Sequence, residues 1–77
     1  MRRDVERLRD IHEAILQIER YTARGETAFR QEELIQTWVV YHLQVIGEAA
    51  RAISDGFQER YAQVPWSDVV GLRNVLV

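Results

Sequence analysis

The chain has 77 residues, of which 47% are apolar and 29% charged, and its formal net charge is −2. A domain of this length buries only about 60% of the surface that its unfolded chain exposes, so one small, marginally stable domain is expected. This composition is too apolar for a disordered chain, and the acidic balance argues against a strongly basic, non-specific nucleic-acid surface. There are no cysteines for disulfides and no apolar run near the roughly 18 residues of a membrane span. We therefore expect a cytoplasmic protein with no membrane contact.

The first segment, from Asp4 to Tyr21, has the spacing of an amphipathic helix. Its apolar residues recur every three or four positions and fall on one helical face: Val5, Leu8, Ile11, Ile15 and Ile18. Asp4 is expected to cap the helix N-terminus, because a short acidic side chain can accept hydrogen bonds from the first turn. Gly25 can adopt the left-handed conformation that ends a helix. Thr27 is then expected to cap a short turn through Phe29.

The second segment, from Glu32 to Ser54, is the longest periodic stretch and predicts the central helix. Its apolar positions again repeat at three and four: Leu34, Ile35, Trp38, Val39, Val45, Ile46, Ala49, Ala50 and Ile53. Gly47 interrupts this pattern, and glycine inside a helix costs roughly 0.5–1 kcal/mol relative to alanine. We therefore expect Gly47 to mark a close contact with another part of the chain.

His42 lies within the apolar stripe of this predicted helix. Neither a histidine, a cysteine nor a carboxylate stands three or four residues from it, so a metal site is not expected there. A core or interface histidine is the favoured interpretation. We expect neither a metal nor a cofactor.

The C-terminal third begins with Asp55-Gly56, where Gly56 is expected to end the long helix. Phe57 and Tyr61 stand one turn apart in a short helical turn. Pro65 then opens a new helix, since its missing N–H is harmless in the first turn. One face of that helix carries Trp66, Val69, Val70, Arg73 and Val77. A guanidinium on an apolar face needs a carboxylate or a bound anion.

The pattern predicts an all-α fold, an antiparallel helical bundle with two long helices, a short helix and the start of a C-terminal helix. Three helices leave apolar area that needs cover, so a dimer is expected. Two interpretations of Glu48 stay open: the residues alone indicate a helix-surface pair with Arg51, whereas the family resemblance given below implies an approach to Arg73.

Two motifs carry a resemblance to a known family. They are Pro65-Trp66 followed after five residues by Leu72-Arg73-Asn74-Val75-Leu76-Val77, and, upstream, Val45-Ile46-Gly47-Glu48-Ala49-Ala50. Together they resemble the HepT-like RNase toxins of the HEPN superfamily, whose signature is Arg, four to six residues, His, any residue, Tyr. With Arg73 as the Arg, the shortest spacing puts the His directly after Val77. We therefore expect residues 1–77 to form a single HEPN-like domain that is incomplete at its C-terminus.

The resemblance implies an activity, residue roles and partners. Family members look like metal-independent RNA endonucleases that leave 2′,3′-cyclic phosphate ends, so Arg73 would be catalytic, stabilising phosphate charge, with Asn74 and Glu48 as substrate-orienting residues. It also implies a homodimer and a nucleotidyltransferase antitoxin that adds AMP to the motif Tyr.

Two alternatives remain. A chain without the His would lose a general base worth typically 10²–10⁴-fold and would serve as a dimerisation or antitoxin-binding module. Alternatively, the protein has no link to RNA, and Arg73 only pairs with Glu48.

Overall fold

The computed structural model describes residues 2–23 and 25–75, and the side chains of Arg2, Ala28 and Phe29 lie outside that description. Within these ranges the order is α1 (Arg2–Thr22), α2 (Glu26–Gln31), α3 (Glu33–Arg51), α4 (Asp55–Arg60), α5 (Trp66–Gly71) and a 3₁₀ turn, η1 (Leu72–Asn74). The described residues include no strand, which confirms the predicted all-α class. None of their helices has the length and hydropathy needed to cross a membrane.

The two long helices, α1 and α3, pack against each other in antiparallel orientation. Asp4 at the start of α1 contacts Ser54 just beyond α3, whereas the Tyr21 ring at the other end of α1 lies 5.6 Å from that of Trp38. Most of the buried apolar side chains belong to α3 and its C-terminal end: Ile35, Val39, Ile46, Ala49, Ala50 and Ile53, with Ala14 from α1. The predicted helical bundle is thus confirmed, with α3 as its central helix.

The apolar stripe of α1 is only partly covered. Val5 is 50% exposed and Ile15 is 42% exposed, although both lie on the face that the spacing predicts. This exposure is consistent with a small core, as the length of the chain implies.

Asp4 is not the N-cap that the sequence suggested. The helix already begins at Arg2, so Asp4 lies in its first turn and turns its carboxylate to the far end of α3. Oδ1 accepts a hydrogen bond from the Ser54 backbone N–H (2.9 Å) and Oδ2 accepts one from the Ser54 hydroxyl (2.7 Å). Ser54 is itself the N-cap of α4, because its hydroxyl oxygen accepts from the Phe57 N–H. These contacts join the start of α1 to the α3–α4 corner.

The central helix ends at Arg51, three residues earlier than predicted. The Gln58 amide donates to the carbonyl oxygens of Ala50, in the last turn of the helix, and of Ile53, just beyond its end. Gly56, which was predicted to end the long helix, instead lies inside α4.

The glycine prediction holds at Gly25, which has a φ of 96° between α1 and α2. Thr27, expected as a cap, instead lies inside α2, which begins at Glu26.

The C-terminal elements fold back onto α3. Trp66 begins α5 directly after Pro65, whose carbonyl accepts from the Val69 N–H at 3.1 Å. The Trp66 indole donates to the Tyr61 carbonyl at 3.0 Å, and the Phe57 and Tyr61 rings lie 4.7 Å apart, as their spacing predicted. The expected C-terminal helix start is thus present, although its last described turn is a 3₁₀ turn. Val77 lies outside the described residues.

Candidate functional site

The backbone of η1 crosses α3 at Gly47. A Cβ atom built on Gly47 would come within 2.9 Å of both Cα and Cβ of Arg73, and closer still to the Arg73 nitrogen. Real side chains do not tolerate such distances, so only glycine fits without movement of the turn. Gly47 therefore marks the close contact that the sequence predicted, and it fixes where Arg73 enters the site.

Glu48 follows Gly47 and makes both contacts that the sequence left open. Its Oε2 lies 3.6 Å from Nη1 of Arg73, and its Oε1 lies 3.7 Å from Nη1 of Arg51. The two ion pairs share one carboxylate, which therefore sits between an arginine of α3 and an arginine of η1.

Arg73 is held by this pair but remains open to water. Its side chain is 35% exposed and that of Glu48 is 53% exposed. At such exposure an ion pair contributes at most about 0–1 kcal/mol, because water screens the attraction. The apolar neighbours of Arg73 in sequence suggested a costly buried cation, whereas the structure shows a guanidinium that is 35% exposed and paired with Glu48.

Gln44 supplies a third contact that the sequence analysis missed. Its side-chain amide donates to the Val75 carbonyl at 2.6 Å. Gln44, Gly47 and Glu48 are spaced three and one residues apart and so share a face of α3. We call these three residues the α3 cradle. The sequence did contain a signal for this contact, because Gln44 is a polar residue one helical turn before Gly47.

Asn74, the other residue assigned to the site by resemblance, is the last residue of η1. Its side chain is exposed, and within the described chain it has no hydrogen bond to the α3 cradle. The structure thus brings Arg73 and Glu48 together and leaves Asn74 at the rim beside them.

An open groove of about 440 Å³ runs between α1 and α3 next to the cradle. Its walls include two residues of the cradle, two arginines, one aspartate and one exposed aromatic ring: Gln44, Glu48, Arg7, Arg51, Asp10 and Tyr41. The positive and negative side chains balance in number, so the groove has no strong charge of its own. It offers space for an extended ligand beside Glu48.

His42 lies away from this contact, in an aromatic cluster. Its ring is 5.0 Å from that of Tyr41 and 5.9 Å from that of Tyr21, and the residue is half-buried. In the described part of the chain, no group of three or more histidine, cysteine or acidic side chains could hold a metal ion.

Comparison with known proteins gives the site a family context. The model of a family described as Ribonuclease HepT-like matches residues 11–77. Putative RNase MJ1380 of Methanocaldococcus jannaschii is 43% identical over 49 residues, which make up 64% of this chain and 45% of that protein. Gamma-glutamylcyclotransferase and putative RNase MJ0434 of the same archaeon is 34% identical over 79 residues, covering 100% of this chain and 36% of the relative.

A third relative comes from a different organism. Probable ribonuclease HepT of Thermococcus cleftensis is 33% identical over 73 residues, covering 91% of this chain and 64% of its own length. The chain thus spans less than two thirds of each of these relatives. No solved structure shows a significant match.

Proposed function

Because this chain belongs to the family of HepT-like ribonucleases, we propose that it is the RNA-cleaving toxin component of a toxin–antitoxin pair. Arg73 is the residue that meets the substrate, and its ligand is a phosphate of the RNA backbone. The cytoplasm, where RNA targets are found, is the compartment that suits this activity.

The proposed reaction is a transfer of the phosphate to the neighbouring 2′-oxygen. A general base removes the proton of the ribose 2′-OH, the oxygen attacks the adjacent phosphorus, and the bond to the 5′-oxygen breaks. The products are a 2′,3′-cyclic phosphate and, once protonated, a free 5′-OH. DNA is spared because it lacks the 2′-OH. The family signature assigns the base to a histidine, and its shortest spacing from Arg73 would place that histidine directly after Val77.

One observation carries the proposal: Arg73 has a fixed backbone but an open guanidinium. Its backbone rests against Gly47, while its side chain is 35% exposed and 3.6 Å from Glu48. A guanidinium has five N–H donors, and among the described residues Glu48 is its ion-pair partner, at 3.6 Å; donors remain for the paired oxygens of a phosphate. Such preorganised donors stabilise charge that develops in a transition state.

Glu48 and Asn74 are assigned supporting roles. Glu48 directs the guanidinium of Arg73 by its ion pair. Asn74, exposed at the end of η1, orients the substrate with its side-chain amide.

The test is cleavage of a labelled single-stranded RNA by the full-length protein. Arg73→Ala should lower kcat by roughly 10²–10³-fold, the usual loss on removing one charge-stabilising donor. The melting temperature should change little, because the lost ion pair is half-exposed. Arg30→Ala is the matched control, since Arg30 pairs with Glu26 in exposed positions of α2. Cleavage that survives Arg73→Ala, or a lost fold, would contradict the proposal.

We also propose a homodimer and a nucleotidyltransferase antitoxin as partners. Exposed apolar side chains on α3 support the dimer: Leu34 at 67%, Trp38 at 43% and Tyr41 at 55%. Light scattering should give twice the chain mass, and Leu34→Glu should reduce it to one chain. The antitoxin rests on the resemblance alone. It predicts that a cognate nucleotidyltransferase adds one AMP to the full-length protein, visible as an intact-mass increase.

A further inference from the structure

We propose that Gly47 and Gln44 are positioning residues for Arg73, and that the α3 cradle sets the place of its guanidinium during catalysis. This inference rests on the proposed function, because it assigns the two residues to the same site. Neither residue touches the substrate in this scheme; both act through the backbone of η1.

Gly47 contributes by lacking a side chain. In a helix interior alanine is ordinarily favoured over glycine, and Gly47 is buried in the middle of the C-terminal half of α3. The nearest atoms to its missing Cβ all belong to Arg73. A methyl group there would therefore clash first with Arg73 and push it away from the surface of α3.

Gln44 contributes by holding the chain two residues after Arg73. Its amide reaches the Val75 carbonyl at 2.6 Å, and Val75 is the residue that follows η1. Gln44 and Gly47 thus fix the backbone at Val75 and at Arg73, two residues apart. Within residues 2–23 and 25–75, the guanidinium itself is held by the weaker ion pair to Glu48.

A short turn needs this support if its side chain is to serve catalysis. The turn η1 has 3 residues, too few to hold one geometry by its own hydrogen bonds. A misplacement of about 1 Å at a catalytic group can cost on the order of 10²-fold in rate. Displacement of η1 should therefore reduce turnover more than RNA binding. Binding also depends on contacts that the rest of the RNA makes with the protein.

The experiment compares Gly47→Ala with Gly56→Ala in the full-length protein, using the labelled RNA. Gly56 is the matched control because it is helical, and a Cβ there meets nothing within 4 Å. Gly47→Ala should lower kcat about 10–100-fold while KM changes less than about threefold. Gly56→Ala should keep both values and a melting temperature at or slightly above that of the wild type.

Gln44→Leu provides the second variant, since it removes the donor to Val75 without adding a clash. It should lower kcat by about 3–10-fold at unchanged KM, and it decides the matter if Gly47→Ala does not fold. Wild-type kcat in a folded Gly47→Ala, or in Gln44→Leu, would overturn this inference. Arg73→Ala is run in parallel: if it cleaves RNA like the wild type, the proposed function itself fails.

Discussion

Two carboxylates join separate parts of the chain, and they differ in how far water reaches them. Asp4 is buried, with 3% of its surface exposed, and both of its oxygens accept short hydrogen bonds from Ser54. Glu48 is 53% exposed and lies 3.6 and 3.7 Å from two arginines. The first contact closes a corner of the bundle, and the second leaves its cation accessible.

This difference in exposure distinguishes a contact that stabilises the fold from a contact that belongs to a candidate functional site. The buried Asp4 carboxylate uses both of its oxygens in part-buried hydrogen bonds to Ser54, and removing it breaks both bonds. An exposed ion pair contributes little to stability, so its geometry can serve a ligand without a large cost to folding. Mutation of Asp4 should therefore lower the melting temperature of the protein, whereas mutation of Glu48 or Arg73 should lower its RNA-cleaving activity.

Among variants of these two carboxylates and their arginine partners, the largest expected effect after Arg73→Ala is that of Glu48→Gln. This change keeps the size of the side chain but removes the charge that directs Arg73. We expect kcat to fall about 10-fold, while KM stays the same or falls, because a negative charge near the phosphate is gone. Steady-state kinetics of RNA cleavage by the full-length protein measures both. A raised KM with wild-type kcat would show that Glu48 does not orient Arg73.

Asp4→Asn probes the closed corner through its pH dependence. The backbone N–H and the hydroxyl of Ser54 hold the pKa of Asp4 below its ordinary value. Since the folded pKa is the lower one, the contribution to stability is present above about pH 4, the unfolded pKa, and is lost as the pH falls through the folded pKa. The wild type should melt several degrees above the variant at neutral pH.

The two melting curves should converge in acid as Asp4 becomes protonated. Melting scans from pH 7 downwards test this. RNA cleavage by Asp4→Asn at neutral pH, well below its melting temperature, should stay within about twofold of the wild type. A constant difference in melting temperature across all pH values would contradict the assignment.

The smallest expected effect is that of Arg51→Ala. This variant compares the two arginines that pair with the exposed Glu48 carboxylate. Arg51 pairs with the same carboxylate as Arg73 but is 63% exposed. Its loss should cost less than about 0.5 kcal/mol of unfolding free energy and change kcat less than about twofold. Chemical denaturation and the cleavage assay measure the two quantities. A loss of kcat as large as that of Arg73→Ala would contradict the assignment of the catalytic role to Arg73 and not to Arg51.

What could be predicted from the sequence depended on distance along the chain. The three-and-four spacing gave both long helices, since that pattern is local. Gly47 indicated a close contact because glycine is unfavourable in a helix, but only the structure identified the partner as Arg73.

The contact between Asp4 and Ser54 joins residues 50 positions apart, which no local pattern encodes. Asp4 therefore looked like a helix cap, which local chemistry favours. Gln44 was missed for the same reason, because its acceptor is a backbone carbonyl and any residue could have supplied it. The place of Arg73 was predicted by resemblance, whereas its exposure required the packing of η1 on α3.

The central claim is that the guanidinium of Arg73 binds an RNA phosphate. The most direct measurement is the salt dependence of binding to a single-stranded RNA made uncleavable by 2′-deoxy substitution at the cut site. Each phosphate neutralised on a single strand contributes roughly 0.7 to the slope of log K against log salt. Arg73→Ala in the full-length protein should therefore reduce that slope by about 0.7, with Arg30→Ala unchanged. Equal slopes and affinities for wild type and Arg73→Ala would contradict the claim.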